Sequence, residues 1–268
     1  MEFLLLATLV AMAAWTLKTQ EQGRRIALLG SHLGKYQIEK HMETLTRGYL
    51  RALGEDDVDR RDQIWNLLRS TEQAVCGQLK RLAADFSAVQ EADARVSRLP
   101  FAVPFAAQLF PSATFDLRKA LAIHARGIGE AVDGNRHLPA KDQAFTVSAE
   151  LFLMQHTCHW FCKSRNVASA RMLVRHKTSY EQLLASVSPQ TRAAYCALVG
   201  RRESARPATC VNRHRRTPAA CIVLHRQSRP RHSMFSWVQN ALSTRFQENA
   251  DEICRPLRGA GGRSSVCQ

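Results

Sequence analysis

The chain has 268 residues, of which 45% are hydrophobic and 7% aromatic. It is therefore long enough for a sizeable, mostly aliphatic core, and its composition excludes a protein that is disordered throughout. The formal net charge is +15, from 38 Lys and Arg against 23 Asp and Glu, which indicates contact with phosphate in nucleic acid or in anionic lipid headgroups.

The N-terminal segment is apolar from Phe3 to Leu17, and Thr8 and Thr16 are its only polar residues. A helix that spans a bilayer needs about 20 residues, with a lower limit near 17, so this run is short. A Trp near its end and Lys18 directly after it are residue types that settle at the membrane–water interface. The pattern predicts a hydrophobic anchor helix over residues 1–18.

Two interpretations of this segment compete. An uncleaved single-pass anchor fits the charges, because Glu2 precedes the run and Lys18, Arg24 and Arg25 follow it. The positive-inside rule then places the N-terminus outside and the C-terminal body in the cytoplasm, where the eight Cys are free thiols. The alternative is export after signal-peptide cleavage at Ala11-Met12-Ala13, which would permit disulfides, but the residues before the run carry no Lys or Arg. The sequence favours the anchor.

Residues 19–54 are predicted to form an amphipathic stalk helix that bends near Gly30–Gly34. Apolar residues recur there at steps of three and four, as in a coiled-coil seam, in two sets: Ile26, Leu29, Leu33 and Tyr36, then Ile38, Met42, Leu45, Tyr49 and Ala52. The stripe from Ile26 to Ala52 is the predicted surface for self-association or for a helical protein partner, provided that the rest of the fold does not cover it.

Residues 55–199 are predicted to form a helical bundle. The acidic cluster Glu55–Asp57 opens a helix that we expect to end near Arg98, because Pro100 disfavours helix before it. One face of that helix is apolar over about seven turns, at Ile64, Leu68, Thr71, Val75, Leu79, Leu82, Phe86 and Val89. A proline- and phenylalanine-rich loop follows at 99–111.

Further start and stop signals divide the rest of the bundle. Ser112 is expected to cap a helix that ends at 133–135, with an inner face formed by Leu117, Leu121, His124, Ile128 and Val132. A helix from Pro139 to about Lys163, another from Asn166 to about Val187, and a last one opened by Ser188-Pro189 complete the bundle. No segment alternates with a period of two, so the sequence predicts an all-α bundle of about five to six helices.

Residues 200–268 carry 13 Arg, no Lys and only four acidic residues, a net of +9. We expect a largely disordered basic tail, with a short helix at 234–253 where apolar residues regain helical spacing. Its arginines are candidates for contact with nucleic acid or anionic lipid: Arg201, Arg202, Arg206, Arg213, Arg215, Arg216, Arg226, Arg229 and Arg231.

Two groups of residues have the chemistry of metal ligands. His156, His159 and Cys162 follow one another at about 60° around a helix, so up to three ligands for zinc or haem iron fan over one side. The apolar residues around them favour a core helix with satisfied histidines instead. In the tail, Cys210, His214, Cys221 and His225 pair Cys with His, which fits the usual spacing of a structural zinc site poorly.

The chain contains no catalytic or cofactor-binding motif, so we expect a protein without enzymatic activity. The leading hypothesis is a membrane-anchored helical protein that acts by self-association or partner binding. One alternative is a nucleic-acid-binding module that uses the Arg-rich tail. The other is a metal- or haem-binding helical bundle.

Overall fold

The computed structural model describes residues 2–134 and 139–200. Within these residues the chain forms ten α-helices, one 3₁₀ turn and two three-residue strands. The prediction of a mostly helical fold that begins with an apolar helix is therefore confirmed.

The N-terminal half of the fold consists of three helices: α1 (Glu2–Leu33), α2 (Ile38–Leu53) and α3 (Val58–Ser87). The predicted stalk over 19–54 is wrong as a single helix, because its first part continues α1 and its second part is α2. The break follows the predicted bend at Gly30–Gly34, where the Gly34 N–H closes the last turn of α1 on the Gly30 carbonyl at 2.8 Å.

Most of the apolar stripe of residues 26–52 is covered by the rest of the fold, and its remaining residues are half-buried. Leu29 on α1 and Ile38, Leu45 and Tyr49 on α2 are all buried, and α2 packs along α3. Gly48 permits this packing, because a Cβ built there would lie 2.3 Å from the Leu68 side chain. The stripe is thus part of the core, and it is not available as the predicted contact surface.

The link between α3 and the next long helix is more structured than the sequence predicts. It contains α4 (Glu91–Ala94), β1 (Arg95–Ser97), α5 (Ala106–Leu109), the 3₁₀ turn (Pro111–Ala113) and β2 (Thr114–Asp116). The first helix of the predicted bundle thus ends at Ser87 and not near Arg98. β1 and β2 pair antiparallel, with buried Val96 opposite buried Phe115, and strands of three residues are too short to show an alternating pattern.

Five further helices complete the described chain: α6 (Leu117–Asp133), α7 (Ala140–Cys162), α8 (Arg165–His176), α9 (Tyr180–Ser186) and α10 (Pro189–Val199). The N-cap of α6 is Asp116, whose carboxylate accepts the Arg118 N–H, and not Ser112 as predicted. The predicted helix over 166–187 is divided at Lys177, which adopts a left-handed conformation with φ +52°. The α10 start is as predicted, with the Ser188 side chain accepting the Thr191 N–H.

The long helix α7 lies at the centre of the fold and packs against α1, α2, α6, α8, α9 and β1. Both groups of buried apolar side chains include residues of α7. Leu153 and Phe161 belong to the group shared with α8, α9 and α10, and Leu151 and Met154 to the group shared with α2 and α3. The core therefore forms around one helix that is apolar on nearly all sides.

Candidate functional site

The first half of α1 extends away from the rest of the fold. Its large apolar side chains, from Phe3 to Leu17, are between 41% and 88% exposed. Within the described parts of the chain, α1 is the one helix that is long and apolar enough to cross a membrane by length and composition. A helix that is apolar all round needs a cover of protein or lipid, and no described residue covers this half.

The few polar side chains of this segment are satisfied by the helix itself. The hydroxyl of Thr8 donates to the Leu5 carbonyl at 2.8 Å, and that of Thr16 donates to the Ala13 carbonyl at 2.9 Å. No polar side chain between residues 3 and 17 therefore depends on water for a hydrogen bond, which is the condition that a hydrocarbon environment sets.

The segment ends with residues suited to an interface. The Lys18 ammonium lies 5.6 Å from the centre of the Trp15 ring, within range of a cation–π contact. An aromatic ring beside a flexible cation is the residue combination that settles at the boundary between hydrocarbon and headgroups.

The second half of α1 is fixed to the fold within one turn of Lys18. The Glu21 carboxylate pairs with Arg25 at 2.6 Å, and the Arg25 guanidinium donates to the Phe161 carbonyl at 3.4 Å and lies over the Phe161 ring. Lys163 donates to the Gln22 side chain at 3.4 Å. The apolar segment and the folded body are thus parts of one continuous helix, with no flexible linker between them.

The predicted metal ligands lie on α7 and face three different environments. His156 is fully buried, stacks on Tyr180 and shares a hydrogen bond with Ser169 at 3.1 Å. His159 contacts Arg171 at 3.3 Å, and Cys162 packs at the edge of the core. In residues 2–134 and 139–200, no group of three or more His, Cys, Asp or Glu side chains is placed to hold a metal ion.

A buried hydrogen-bonded chain joins α6, α7 and α10. The Thr157 hydroxyl donates its one proton to the Leu153 carbonyl, so His124 Nε2, 2.9 Å away, is the donor to Thr157. The Tyr195 hydroxyl lies 3.0 Å from the same oxygen. The Nε2 of His124, on the inner face of α6, thus has a buried hydrogen-bond partner on α7.

Burial lowers the pKa of every histidine packed around α7. It lowers the pKa of His124, His156 and His176 to about 3, and that of His159 to about 4 with help from the charge of Arg171. The charged imidazolium is disfavoured where water is excluded. These histidines are therefore neutral structural groups over the physiological range of pH.

Burial also keeps the cysteines of α7 protonated. Burial raises the pKa of Cys158 to about 12 and that of Cys162 to about 11, so both remain thiols. Because the thiolate is the nucleophile and the metal ligand, this environment disfavours both roles.

Glu150 has a fully buried carboxyl group, and the sequence analysis did not predict its role in packing. Its Oε1 accepts the backbone N–H of Ser188 at 3.0 Å, at the start of α10, and burial raises its pKa. Gly127 on α6 makes room for it, because a Cβ there would lie 2.1 Å from Thr191 Oγ1 and 2.8 Å from Glu150 Oε2. A carboxyl in the middle of an apolar helix is the sequence signal that could have identified it.

The remaining predicted site residues lie outside the described chain. These are the tail arginines (Arg201, Arg202, Arg206, Arg213, Arg215, Arg216, Arg226, Arg229 and Arg231), the Cys and His pairs of residues 210–225 and the predicted helix at 234–253. The structure therefore does not test whether these residues form a site.

Comparison with known proteins identified no relative of this chain. No family model matches the chain, and neither a curated protein nor a solved structure matches it.

Proposed function

We propose that this chain is a single-pass, membrane-anchored helical protein without enzymatic activity, which acts by binding. The observation that carries the proposal is the half of α1 whose side chains are exposed all round, followed without a break by a half that is fixed in the core. A soluble protein seldom exposes a contiguous apolar surface of this extent.

The charges that flank the apolar segment support an orientation. Glu2 precedes it, whereas Lys18, Arg24 and Arg25 follow it, and the positive-inside rule assigns the folded body to the cytoplasm. The four cysteines of the described residues form no disulfide with one another, which is consistent with a reducing compartment.

The binding surface differs from the stripe of residues 26–52, because that stripe is buried. The proposed surface for self-association is instead formed by residues 3–17 within the bilayer, where packing between helices is the main source of affinity. In mild detergent, this proposal predicts energy transfer between differently labelled copies of the full chain, which decreases when unlabelled chain is added in excess.

The anchor is tested by alkaline extraction of membranes from cells that express the full chain. We expect the wild-type chain in the pellet and the Leu5→Arg/Leu9→Arg variant in the supernatant, since each Arg near a helix centre opposes insertion by about 3 kcal/mol. Leu67→Arg, on the equally exposed surface of α3, is the matched control and stays in the pellet. A wild-type chain that is released by alkali contradicts the anchor.

The orientation and the signal-peptide alternative are tested together. A C-terminal reporter that is active only in the cytoplasm should be active, and the mass of the purified chain should include residues 2–13. A shortened, exported chain that begins after Ala13 would replace the anchor with a signal peptide, and the cysteines would then need testing for disulfides.

A further inference from the structure

A second apolar surface lies beside the anchor. Residues 100–110, here called the aromatic loop, expose 68% of Phe101, 41% of Phe105 and 63% of Leu109. Exposed single apolar residues are common in proteins, but several in one loop mark a contact surface.

The aromatic loop is attached to α1 directly after the apolar segment. The backbone N–H of Phe105 donates to Glu21 Oε2 at 2.8 Å. Phe101 and Val103 line a shallow groove together with Lys18 and Glu21. The loop therefore lies beside the part of α1 where the apolar segment ends and the polar residues begin.

The loop contains one residue in an unusual backbone conformation, and hydrogen bonds to distant elements hold the backbone at that residue and before it. Phe105 has φ +55° and ψ 23°, a left-handed conformation that a bulky residue seldom adopts. Such strain persists where neighbouring contacts over-determine the backbone, and it is common at binding surfaces. Here the Glu21 carboxylate holds the Phe105 amide, and the Asn166 N–H donates to the Pro100 carbonyl at 3.2 Å.

The distances along α1 match the layers of a bilayer. At 1.5 Å per residue, Glu21 lies about 6 Å beyond Leu17 along the helix axis. The polar interfacial layer of one leaflet is about 5–7 Å thick. With Leu17 at the edge of the hydrocarbon, the residues of the loop that contact Lys18 and Glu21 lie in the headgroup layer.

The charges around the loop complement anionic lipid. Lys18 and Lys163 line the groove beside it, and Arg165 lies over the Trp160 ring next to the residue that bonds Pro100. The one carboxylate of the groove, Glu21, is paired with Arg25. The surroundings are thus positive where phosphate headgroups would lie.

We propose that the aromatic loop inserts into the headgroup region of an anionic bilayer beside α1, so that the body of the protein rests on the membrane in one fixed orientation. Phe101, Phe105 and Leu109 supply the apolar contact, and Lys18, Lys163 and Arg165 bind lipid phosphate. This inference rests on the proposed membrane anchor and adds a second contact to it.

The test is photolabelling of the full wild-type chain in vesicles of phosphatidylcholine and phosphatidylglycerol that contain a phosphatidylcholine with a diazirine close to its headgroup. Labelled residues are mapped by mass spectrometry. We expect label on residues 100–110 and around Trp15, and none around Leu67 or Val174, which are equally exposed on α3 and α8.

Three variants sharpen this result. In Phe101→Ser/Leu109→Ser the loop label should fall about tenfold, since a tenfold change in partition needs only about 1.4 kcal/mol, less than one large apolar side chain supplies. In Glu21→Ala the loop label should fall while the label around Trp15 is unchanged. Leu67→Ser/Val174→Ser, the matched control, should leave both labels unchanged.

The possible failures are distinguishable. Label around Trp15 without label on residues 100–110 overturns this inference and leaves the anchor standing. Label at neither place overturns the anchor and the inference with it.

Discussion

The two most apolar helices among the described residues, α1 and α7, have opposite environments. In α1, the side chains of residues 3–17 are exposed all round, whereas α7 is buried on nearly every side by six other elements. The difference lies in the polar residues. Within α7, Glu150, His156 and Thr157 each have a partner on another element. Within residues 3–17, Thr8 and Thr16 bond only to their own helix.

The polar residues of an apolar helix therefore indicate whether protein or lipid surrounds it. A protein interior supplies specific partners for buried polar groups, so a core helix can carry a carboxyl or an imidazole. A bilayer supplies none, so a spanning helix must be free of polar groups or satisfy them internally. Four predictions test this contrast, in order of decreasing effect.

Acid should destabilise the folded structure around α7 and leave the apolar residues 3–17 of α1 unaffected. Below about pH 6.5 the histidines of the unfolded chain bind protons, but His124, His156 and His176, with folded pKa values of about 3, do not. Their stabilisation is thus complete above about pH 6.5 and is lost as the pH falls toward 3, by up to about 1.4 kcal/mol per pH unit for each histidine. The raised pKa of Glu72 and of Glu150 acts in the opposite direction and offsets part of this loss.

Urea unfolding in detergent at about pH 7 and about pH 5 measures this effect, and the free energy of unfolding should be lower at the lower pH. His156→Phe should flatten the dependence and Glu150→Gln should steepen it. Membrane retention should not change with pH, because residues 3–17 contain no titratable group. A free energy of unfolding that is constant over this range contradicts the burial of neutral histidines.

Truncation of a leucine should reduce stability in α7 but not in residues 3–17 of α1. Leu153 is completely buried, so Leu153→Ala is expected to reduce the free energy of unfolding by about 2–5 kcal/mol, through lost burial and the cavity left behind. Leu9→Ala is the matched change in the exposed half of α1 and should shift it by less than about 0.5 kcal/mol. Near-ultraviolet circular dichroism in urea follows both, and equal losses would mean that the apolar half of α1 packs against the fold.

Replacing a glycine by alanine should destabilise the fold beside α7 and should be tolerated in α1. In Gly127→Ala the new Cβ meets the buried side chains of Thr191 and Glu150, and overpacking of this kind costs about 1–3 kcal/mol. A Cβ at Gly23 in α1 meets nothing within 4 Å, so Gly23→Ala should stabilise the helix by up to about 1 kcal/mol. Thermal unfolding of both variants gives the comparison, and a tolerated Gly127→Ala would show that α6, α7 and α10 are less closely packed.

The smallest expected contrast concerns a hydroxyl. Thr157→Val leaves the buried Nε2 of His124 without its acceptor and should reduce the free energy of unfolding by about 1–2 kcal/mol. Thr16→Val removes a hydrogen bond within one helix and should change it by less than about 0.5 kcal/mol. Urea titrations of the two variants side by side measure the difference, and its absence would indicate that water replaces the lost partner.

The sequence alone determined the features that depend on neighbouring residues. The apolar stretch of α1, the helical class, the bounds of α7 and the start of α10 at Ser188-Pro189 all follow from periodicity and end signals that act within a few turns. The inner face of α6, with His124 among its residues, was also predictable, because it repeats at helical spacing over four turns.

Which apolar surfaces are covered depends on how distant elements pack, so the sequence could not predict it. The stripe from Ile26 to Ala52 and the segment of residues 3–17 are both apolar in sequence, yet α3 and α7 bury the first and nothing described covers the second. The directions of His156, His159 and Cys162 and the position of the aromatic loop beside Glu21 depend equally on the packing of distant elements. Local spacing places a residue on one face of a helix, but burial and contact depend on elements brought together from far along the chain.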